Sequence, residues 1–363
     1  MTEAPPNLPS RPSSFVVLVG VLVLVPALVA ALAIDVLSPW GVLEWLASLS
    51  LGVGLVSCRW RRQRAWGPSR TGMLALVIIA MLRLATGGVT PHARLLVLPS
   101  DHEARLVDRL FEERDAAILG ARLLAWTGAM RAPEFPTLPS LLTHAYDDME
   151  GQLGHRMGSV VLSTAFGHDT GDAFDAFVIE PDDEPRGSVV FLHGYAGNFL
   201  LQCWQVAVAA RAADLRTVCP STDFSGRWSS PHSERIAHVA LYYARRGDVT
   251  ILAGLSNGAI GASRLAPDLE HAIDALVLIS GADAMAADPH VPTLALHGDH
   301  DRMAPTADAR LYRDLHRARV RYVELEGTHF VLLERPAEVR AELTRFFIEQ
   351  RDAAERTRAD ASR

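Results

Sequence analysis

The sequence predicts an α/β fold: a mostly parallel sheet with helices on both faces, preceded by an N-terminal transmembrane helical region. Three observations predict it. From Gly158 onward, short runs rich in β-branched residues alternate with helical segments, the rhythm of a parallel sheet covered on both sides. Within that rhythm a lone serine stands between glycines, "GLSNG" at 254–258, after the strand-like "DVTILA" and before the helix-like "AIGASRLA". Ahead of it, the first 91 residues hold three long apolar stretches of the kind that reach across a bilayer.

Composition narrows the chemistry. The chain has 363 residues, enough for one domain plus an appendage, and 49% hydrophobic residues, enough for a large core. Net charge is −7 without a clustered basic face, so no nucleic-acid partner is expected. All 35 basic residues are Arg. Without lysine there is no Schiff-base lysine, no P-loop lysine and no Ser–Lys dyad. The three cysteines, Cys58, Cys203 and Cys219, form no C-x-x-C pair, so no zinc site is expected. Cys58 reads as a small packing residue, and Cys203 and Cys219 as buried small residues, with a disulfide between them as the alternative. Neither a metal nor a cofactor is expected.

Residues 1–14 are Pro- and Ser-rich and read as a disordered tail. The uncharged run Phe15–Ile34 has the length of a transmembrane helix. A signal peptide is the alternative, but a basic lead-in and a small-residue cleavage site are lacking. A second stretch from Trp40 to Cys58 carries Glu44, with Trp40 and Trp45 suited to an interfacial belt. A third, Thr71–Gly88, is short and interrupted by Arg83, which could snorkel to the headgroups. Residues 15–91 are thus expected to be a membrane region with two or three helices, its partner the lipid bilayer. Arg59, Arg61, Arg62, Arg64 and Arg70 crowd the loop between the second and third stretches. Such loops stay cytoplasmic, so three spans would place residue 92 onward on the non-cytoplasmic side.

Residues 92–157 show helical spacing, with Leu106, Leu110, Ile118, Leu119 and Leu123 opposite a charged face, ended by prolines at 133, 136 and 139. They read as a helical connector, either packing helices or a lid. From Gly158 the predicted catalytic domain runs to residue 350. "SVVLSTAF" and "AFDAFVIEP" flank "GHDTGD" and read as a hairpin with a solvated turn; its aspartates lack a calcium-loop pattern. The strands "SVVFLHG", "LRTVCPS", "DVTILAG", "IDALVLIS", "PTLALHG" and "VRYVELEG" come next, and residues 351–363 read as a polar tail.

Ser256 can be explained physically. A serine hydroxyl attacks only when exposed, oriented and next to a base. A sharp strand-to-helix turn exposes it, and glycines two before and two after leave room for that turn. Gly254 and Gly258 stand at those positions. An acid and a histidine then come just past later strands, in "HGDHDRMAP" and "EGTHF". These are the places where open α/β sheets build their sites.

Residues 158–350 resemble the α/β-hydrolase family. "FLHGYAGN" resembles its oxyanion-loop strand, with His193 and Gly194 in place. "GLSNG" resembles its nucleophile elbow, "LALHGDHDRMAP" its acid-bearing stretch, and "EGTHFVLLERPAEV" its base-bearing stretch. The resemblance implies Ser256 as nucleophile, His329 as base and Asp301 as acid, with Asp299 competing for the last role. It also implies backbone N–H groups of Tyr195 and Asn257 as the oxyanion hole. Phe199, Trp228, Met303 and Phe330, with Leu200, Trp204 and Phe224, lie near these loops in sequence and are candidate pocket residues. The short "DAMAADPHV" before "PTLALHG" leaves no room for a large cap insertion.

The expectation is a membrane-anchored serine esterase or lipase-like hydrolase that takes a small-molecule acyl ester. A peptidase or thioesterase on the same residues is one alternative, and a non-catalytic scaffold retaining the fold is another. The sequence names no protein partner.

Overall fold

The computed structural model describes residues 37–61, 67–86, 90, 92–109, 112–127, 137–153, 158–245 and 247–361. Residues up to Leu82 form one unit and residues from Arg83 another.

In the first unit, the second and third apolar stretches are helices, α1 (Pro39–Arg61) and α2 (Gly67–Thr86, which runs on into the second unit). They approach closely: a Cβ on Gly72 would lie 2.6 Å from the Leu51 nitrogen and 2.7 Å from the Ala47 oxygen. Phe15–Ile34 and the Pro/Ser-rich tail lie outside the described residues. No helix among the described residues is long and apolar enough to cross a membrane. The expected multi-pass anchor is therefore not supported, nor is the non-cytoplasmic placement that depended on the third span. Arg83 does not reach for headgroups but is buried, its guanidinium 3.8 Å from the Glu112 carboxylate.

The second unit is built on a nine-stranded sheet among the described residues. Its strands are β1 (Ala93–Leu98), β2 (His102–Glu103), β3 (Phe174–Ile179), β4 (Gly187–Leu192), β5 (Leu215–Pro220), β6 (Val249–Leu255), β7 (Ala275–Ile279), β8 (Thr293–Gly298) and β9 (Val320–Leu325). Their order is β2-β1-β3-β5-β4-β6-β7-β8-β9. The six strands from β5 to β9 are parallel, and β3, β1 and β2 join antiparallel at the β5 edge. This is an α/β-hydrolase-like fold. β4, β6 and β7 are buried along their whole length, as continuous apolar runs in a doubly covered parallel sheet should be.

Alternate residues of these strands, such as Val190, Leu192, Leu252, Leu276 and Leu278, join one cluster with Trp228, Ile236, Ala259, Ala262 and Tyr312. Helices α7 (Pro231–Ala244), α8 (Asn257–Leu265) and α9 (Thr306–Leu315) contribute to that face. Alternation sends Val189 and Phe191 to the other face, where α6 (Leu200–Arg211) packs on α11 (Pro336–Ala361), which follows the single-turn α10 (Val331–Glu334).

Four expectations are corrected here. Segment 92–157 is not helical throughout: it opens with β1, fully paired to β3, before helices α3 (Glu113–Thr127) and α4 (Leu138–Leu153). The sheet therefore begins at Ala93, not after Gly158. "SVVLSTAF" is not a strand but contains helix α5 (Val161–Ala165). A short apolar run is ambiguous between the two, and here Ser163 and Thr164 turn inward to bond Asp108 and Ser221. The "GHDTGD" turn is solvated only in part: Gly167, His168, Thr170 and Asp172 are exposed, but Asp169 is buried and pairs with Arg105, as does Asp175 of β3. The supposed polar tail is the last part of α11, where Arg351 pairs with Asp214 and Arg358 with Asp248.

Cys203 and Cys219 are buried but not free. They form a disulfide between α6 and β5, with Cα atoms 6.1 Å apart. Sixteen residues separate them, and separation in sequence alone does not reveal such proximity. The side chain of Cys58 is not among those described.

Candidate active site

The chain winds outward to β5 on one side of β4, then returns to place β6 on the other. Such a reversal opens a crevice beyond the carboxyl ends of the two strands. Ser256 stands in that crevice, between β6 and α8. Its backbone has φ 55° and ψ −119°, a left-handed conformation rare outside glycine and costing on the order of 1–3 kcal/mol. The strain is held by the turn's surroundings. The Ser256 amide donates to the Ile279 carbonyl at 2.9 Å. A Cβ on Gly254 would strike the Gly258 carbonyl, and one on Gly258 the Leu192 carbonyl. The sequence pattern of the turn is thus a packing requirement.

Two other loops converge on it. His329 follows β9, and its Nε2 lies 2.9 Å from Ser256 Oγ. Asp301 follows β8, and its Oδ2 accepts from His329 Nδ1 at 2.8 Å. Serine, imidazole and carboxylate are thus bonded in series, with His329 and Asp301 buried. Asp301 Oδ1 accepts the Met303 and Ala304 amides. Burial would raise the Asp301 carboxyl, but bonds to His297, His329 and the Ala304 amide, with the charge of His329, outweigh it and hold it well below the usual carboxylate range.

Asp299 does not face the histidine. Its Oδ1 accepts the Gly327 amide at 2.9 Å and bonds His300, so it braces the loop that carries His329. Glu334 braces the same loop, accepting from the Thr328 amide at 2.6 Å and the Thr328 hydroxyl at 2.8 Å. His297 Nε2 lies 3.3 Å from Asp301 Oδ2 and 2.9 Å from the Ala304 oxygen. Sequence reasoning gave Asp299 only the competing role of acid and gave Glu334 and His297 no role at the site. The Glu334-Arg335-Pro336 run within "EGTHFVLLERPAEV" was the available signal for Glu334.

The loop after β4 completes the arrangement. His193 is fully buried: Nε2 accepts the Thr222 amide at 3.2 Å, so Nδ1 carries the proton it donates to the Gly194 carbonyl at 2.8 Å. Burial pushes its pKa down to about 4, keeping it neutral. Trp228 Nε1 donates to the His193 carbonyl at 2.9 Å, and the two rings meet edge to face. Gly194 packs on Ser256, where a Cβ would come 3.1 Å from the serine Cβ. The amide of Tyr195 comes directly after, and that of Asn257 opens α8, so its first-turn N–H has no partner within that helix. Among the described residues neither donates to a backbone carbonyl outside regular structure.

A cavity of about 330 Å³ opens from Ser256 and His329, at the small end of the ~300–1,000 Å³ typical of ligand sites. Of the predicted pocket residues, Phe199, Met303 and Phe330 line it, as does Phe224. Trp228 does not. It is sealed in the core under the His193 loop, so its assignment to the pocket is corrected. Leu200 and Trp204 are buried in α6 away from the cavity wall. The other wall comes from segment 92–157: Ala116, Ala117, Gly120 and Ala121 of α3, with Leu142 and Tyr146 of α4. Among the described residues the lining holds no Asp, Glu or Arg side chain. Among the described residues no group of three or more His, Cys, Asp or Glu is arranged to hold a metal.

No family model and no curated protein matches the chain. Solved structures do. Est1E from Butyrivibrio proteoclasticus is 18% identical, covering 49% of this chain and 94% of its own, with a TM-score of 0.41. The esterase domain of a Rhodothermus marinus protein is 16% identical over 49% and 93%, with a TM-score of 0.40. A thioesterase domain from the curacin biosynthetic pathway is 14% identical over 47% and 95%, with a TM-score of 0.37. The chemistry of this chain is read from the geometry around Ser256 and not from these distant likenesses.

Proposed function

We infer that the chain is a serine hydrolase of the α/β-hydrolase type that cleaves carboxylic esters through an acyl-enzyme. One observation carries this reading: Ser256, His329 and Asp301 are hydrogen-bonded in series at 2.9 and 2.8 Å at the mouth of an apolar cavity. In this reading Ser256 Oγ attacks the ester carbonyl while His329 Nε2 takes its proton. His329 then gives that proton to the departing alkoxide. Asp301 keeps Nδ1 protonated and stabilises the imidazolium. The oxygen that gains charge is met by the amides of Tyr195 and Asn257, each such donor contributing about 3 kcal/mol to the barrier reduction. Water repeats the sequence on the acyl-enzyme, and the carboxylic acid leaves. The uncharged lining favours an apolar acyl group. A thioester would enter the same chemistry. Attachment to a membrane through residues 15–86 is a separate part of the proposal, supported by exposed Leu74, Val77, Ile78 and Met81, and the chemistry does not depend on it.

A fluorophosphonate probe tests the reading. Wild-type protein should be labelled at Ser256. Ser256→Ala should escape labelling and lose p-nitrophenyl acetate hydrolysis by about 10,000-fold or more. Asp301→Asn should be severe and Asp299→Asn much milder. The reverse order would move the acid to Asp299, and an unlabelled wild-type protein would favour the scaffold.

A further inference from the structure

Helix α6 begins immediately after the loop that carries His193, Gly194 and Tyr195. Its first-turn N–H groups have no acceptor of their own, as at any helix start. The residue that should cap them is Phe199, which has no side-chain acceptor and makes no capping bond. The cap comes from elsewhere. Glu113, the first residue of α3, sends its carboxylate across the domain. Oε2 accepts the Leu200 amide at 2.6 Å, and Oε1 accepts the Leu201 amide at 3.0 Å. Oε1 also accepts the Tyr146 hydroxyl of α4 at 2.9 Å. Glu113 and Tyr146 are 2% and 1% exposed, so water cannot replace these bonds.

One carboxylate therefore joins three elements. It binds the positive end of α6, where a negative charge is favoured, to both helices that wall the cavity. A displacement at this junction moves the Tyr195 amide relative to Ser256, because only residues 196–199 intervene before α6. We propose that Glu113 is a positioning residue: by capping α6 from α3, it holds the Tyr195 amide and the α3–α4 cavity wall in register with Ser256. This rests on the serine-hydrolase reading and adds a residue outside the stretch that resembles the hydrolases.

The groups that face Glu113 are Tyr146 and Glu150 of α4 and, on its own helix, Arg114, which pairs with Asp147 and Glu150. From α6 it meets the two amides. Burial pushes the Glu113 carboxyl up to about 7, against the bonds from Leu200, Leu201 and Tyr146 that pull it down. Only the ionised form accepts all three bonds, so the register is complete above that pH and loosens below it.

The test compares full-length wild type, Glu113→Gln and Tyr146→Phe, with rates on p-nitrophenyl acetate normalised to the sites a fluorophosphonate labels. Glutamine keeps the volume but turns an amide N–H₂ toward one of the donors. Glu113→Gln should lower kcat per labelled site about 10-fold with KM within about 2-fold, because small displacements of donors act on the transition state. Tyr146→Phe, which removes one bond of three, should lower kcat by a smaller factor. The acid limb of log kcat against pH should be steeper in wild type than in Glu113→Gln, since a titrating carboxyl is gone. Wild-type kcat per site and an unchanged acid limb in Glu113→Gln would overturn the proposal while leaving the hydrolase reading intact. If Glu113→Gln does not fold, unchanged kcat per site in Tyr146→Phe overturns it. Absence of labelling in wild type would instead fail the hydrolase reading itself.

Discussion

The parallel half of the sheet and the segment that precedes it are built by different means. β4, β6 and β7 are buried from end to end and are mostly apolar, and the loops beyond β4 and β6 carry His193 and Ser256. Residues 93–179 bury charge instead. Glu113, Asp108, Asp169 and Asp175 are all withdrawn from solvent, and Arg105 answers two of them. The apolar half needs only the right residues in the right rhythm, and it presents the chemistry. The charged half needs particular partners at particular distances, and it supplies the cavity wall and the clamp on α6. Burying an ion is costly unless it is paired and hydrogen-bonded, so the second region should be the more sensitive to single changes and to pH.

Removing the charged half altogether breaks the comparison most violently. A chain beginning at Gly158 keeps Ser256, Asp301 and His329 but loses β1, the Glu113 cap and one wall of the cavity. It should be insoluble or unfold at far lower urea than a chain beginning at His92. Equal urea midpoints for the two would make the preceding segment a mere spacer.

A gentler change separates wall from chemistry. Gly120 lines the cavity, and a Cβ there would meet nothing within 4 Å. Gly120→Leu should fill the space without a backbone clash. The ratio of p-nitrophenyl octanoate to acetate turnover should fall about 10-fold, as expected when a pocket loses room for a few methylenes. The helix should meanwhile gain about 0.5–1 kcal/mol from the loss of an interior glycine. An unchanged ratio would mean that the acyl group lies elsewhere.

The smallest effect concerns pH. The Asp175 carboxyl is pushed up to about 8 by burial and then by the charges of Asp108 and Asp169, against the pull of Arg105. Asp175 shares this buried cluster with Asp108 and Asp169, so a proton on Asp175 relieves repulsion among the carboxylates. A folded-state value above the unfolded one stabilises the protein fully below the unfolded pKa, and that contribution is lost as pH rises through about 8. Wild type should therefore lose about 2 kcal/mol relative to Asp175→Asn between roughly pH 6 and pH 9, read from urea unfolding at each pH. A constant difference would mean that Asp175 is ionised throughout.

The same contrast explains what could be read in advance. The strands from β4 to β9 were legible because continuous apolar runs between turn residues have few alternatives. Ser256 was legible because a strained turn demands glycines at fixed offsets, whereas Asp301 and His329 were singled out through the resemblance to the hydrolases. β1 was hidden: "ARLLVL" is as apolar as a helix stripe, and its partner β3 lies some 80 residues downstream in pairings such as Ala93 with Ile179. Glu113 was hidden for the same reason, since it looks like any first-turn acid until Leu200 and Leu201 are beside it. Trp228 was misassigned because nearness to a loop in sequence does not say which side of the sheet an indole occupies. The Cys203–Cys219 bond and the helical course of "SVVLSTAF" likewise depend on contacts that local pattern does not encode.

Trp228 has a use that its burial creates. It is fully enclosed, with its ring against His193 and its N–H on the carbonyl that precedes Gly194. Its emission therefore reports on the loop that carries His193, Gly194 and the Tyr195 amide. With the other tryptophans replaced by phenylalanine, the single indole becomes an optical gauge of that loop. A rigid loop keeps its emission blue and indifferent to acylation of Ser256, and a loop that shifts on acylation writes that movement into the spectrum.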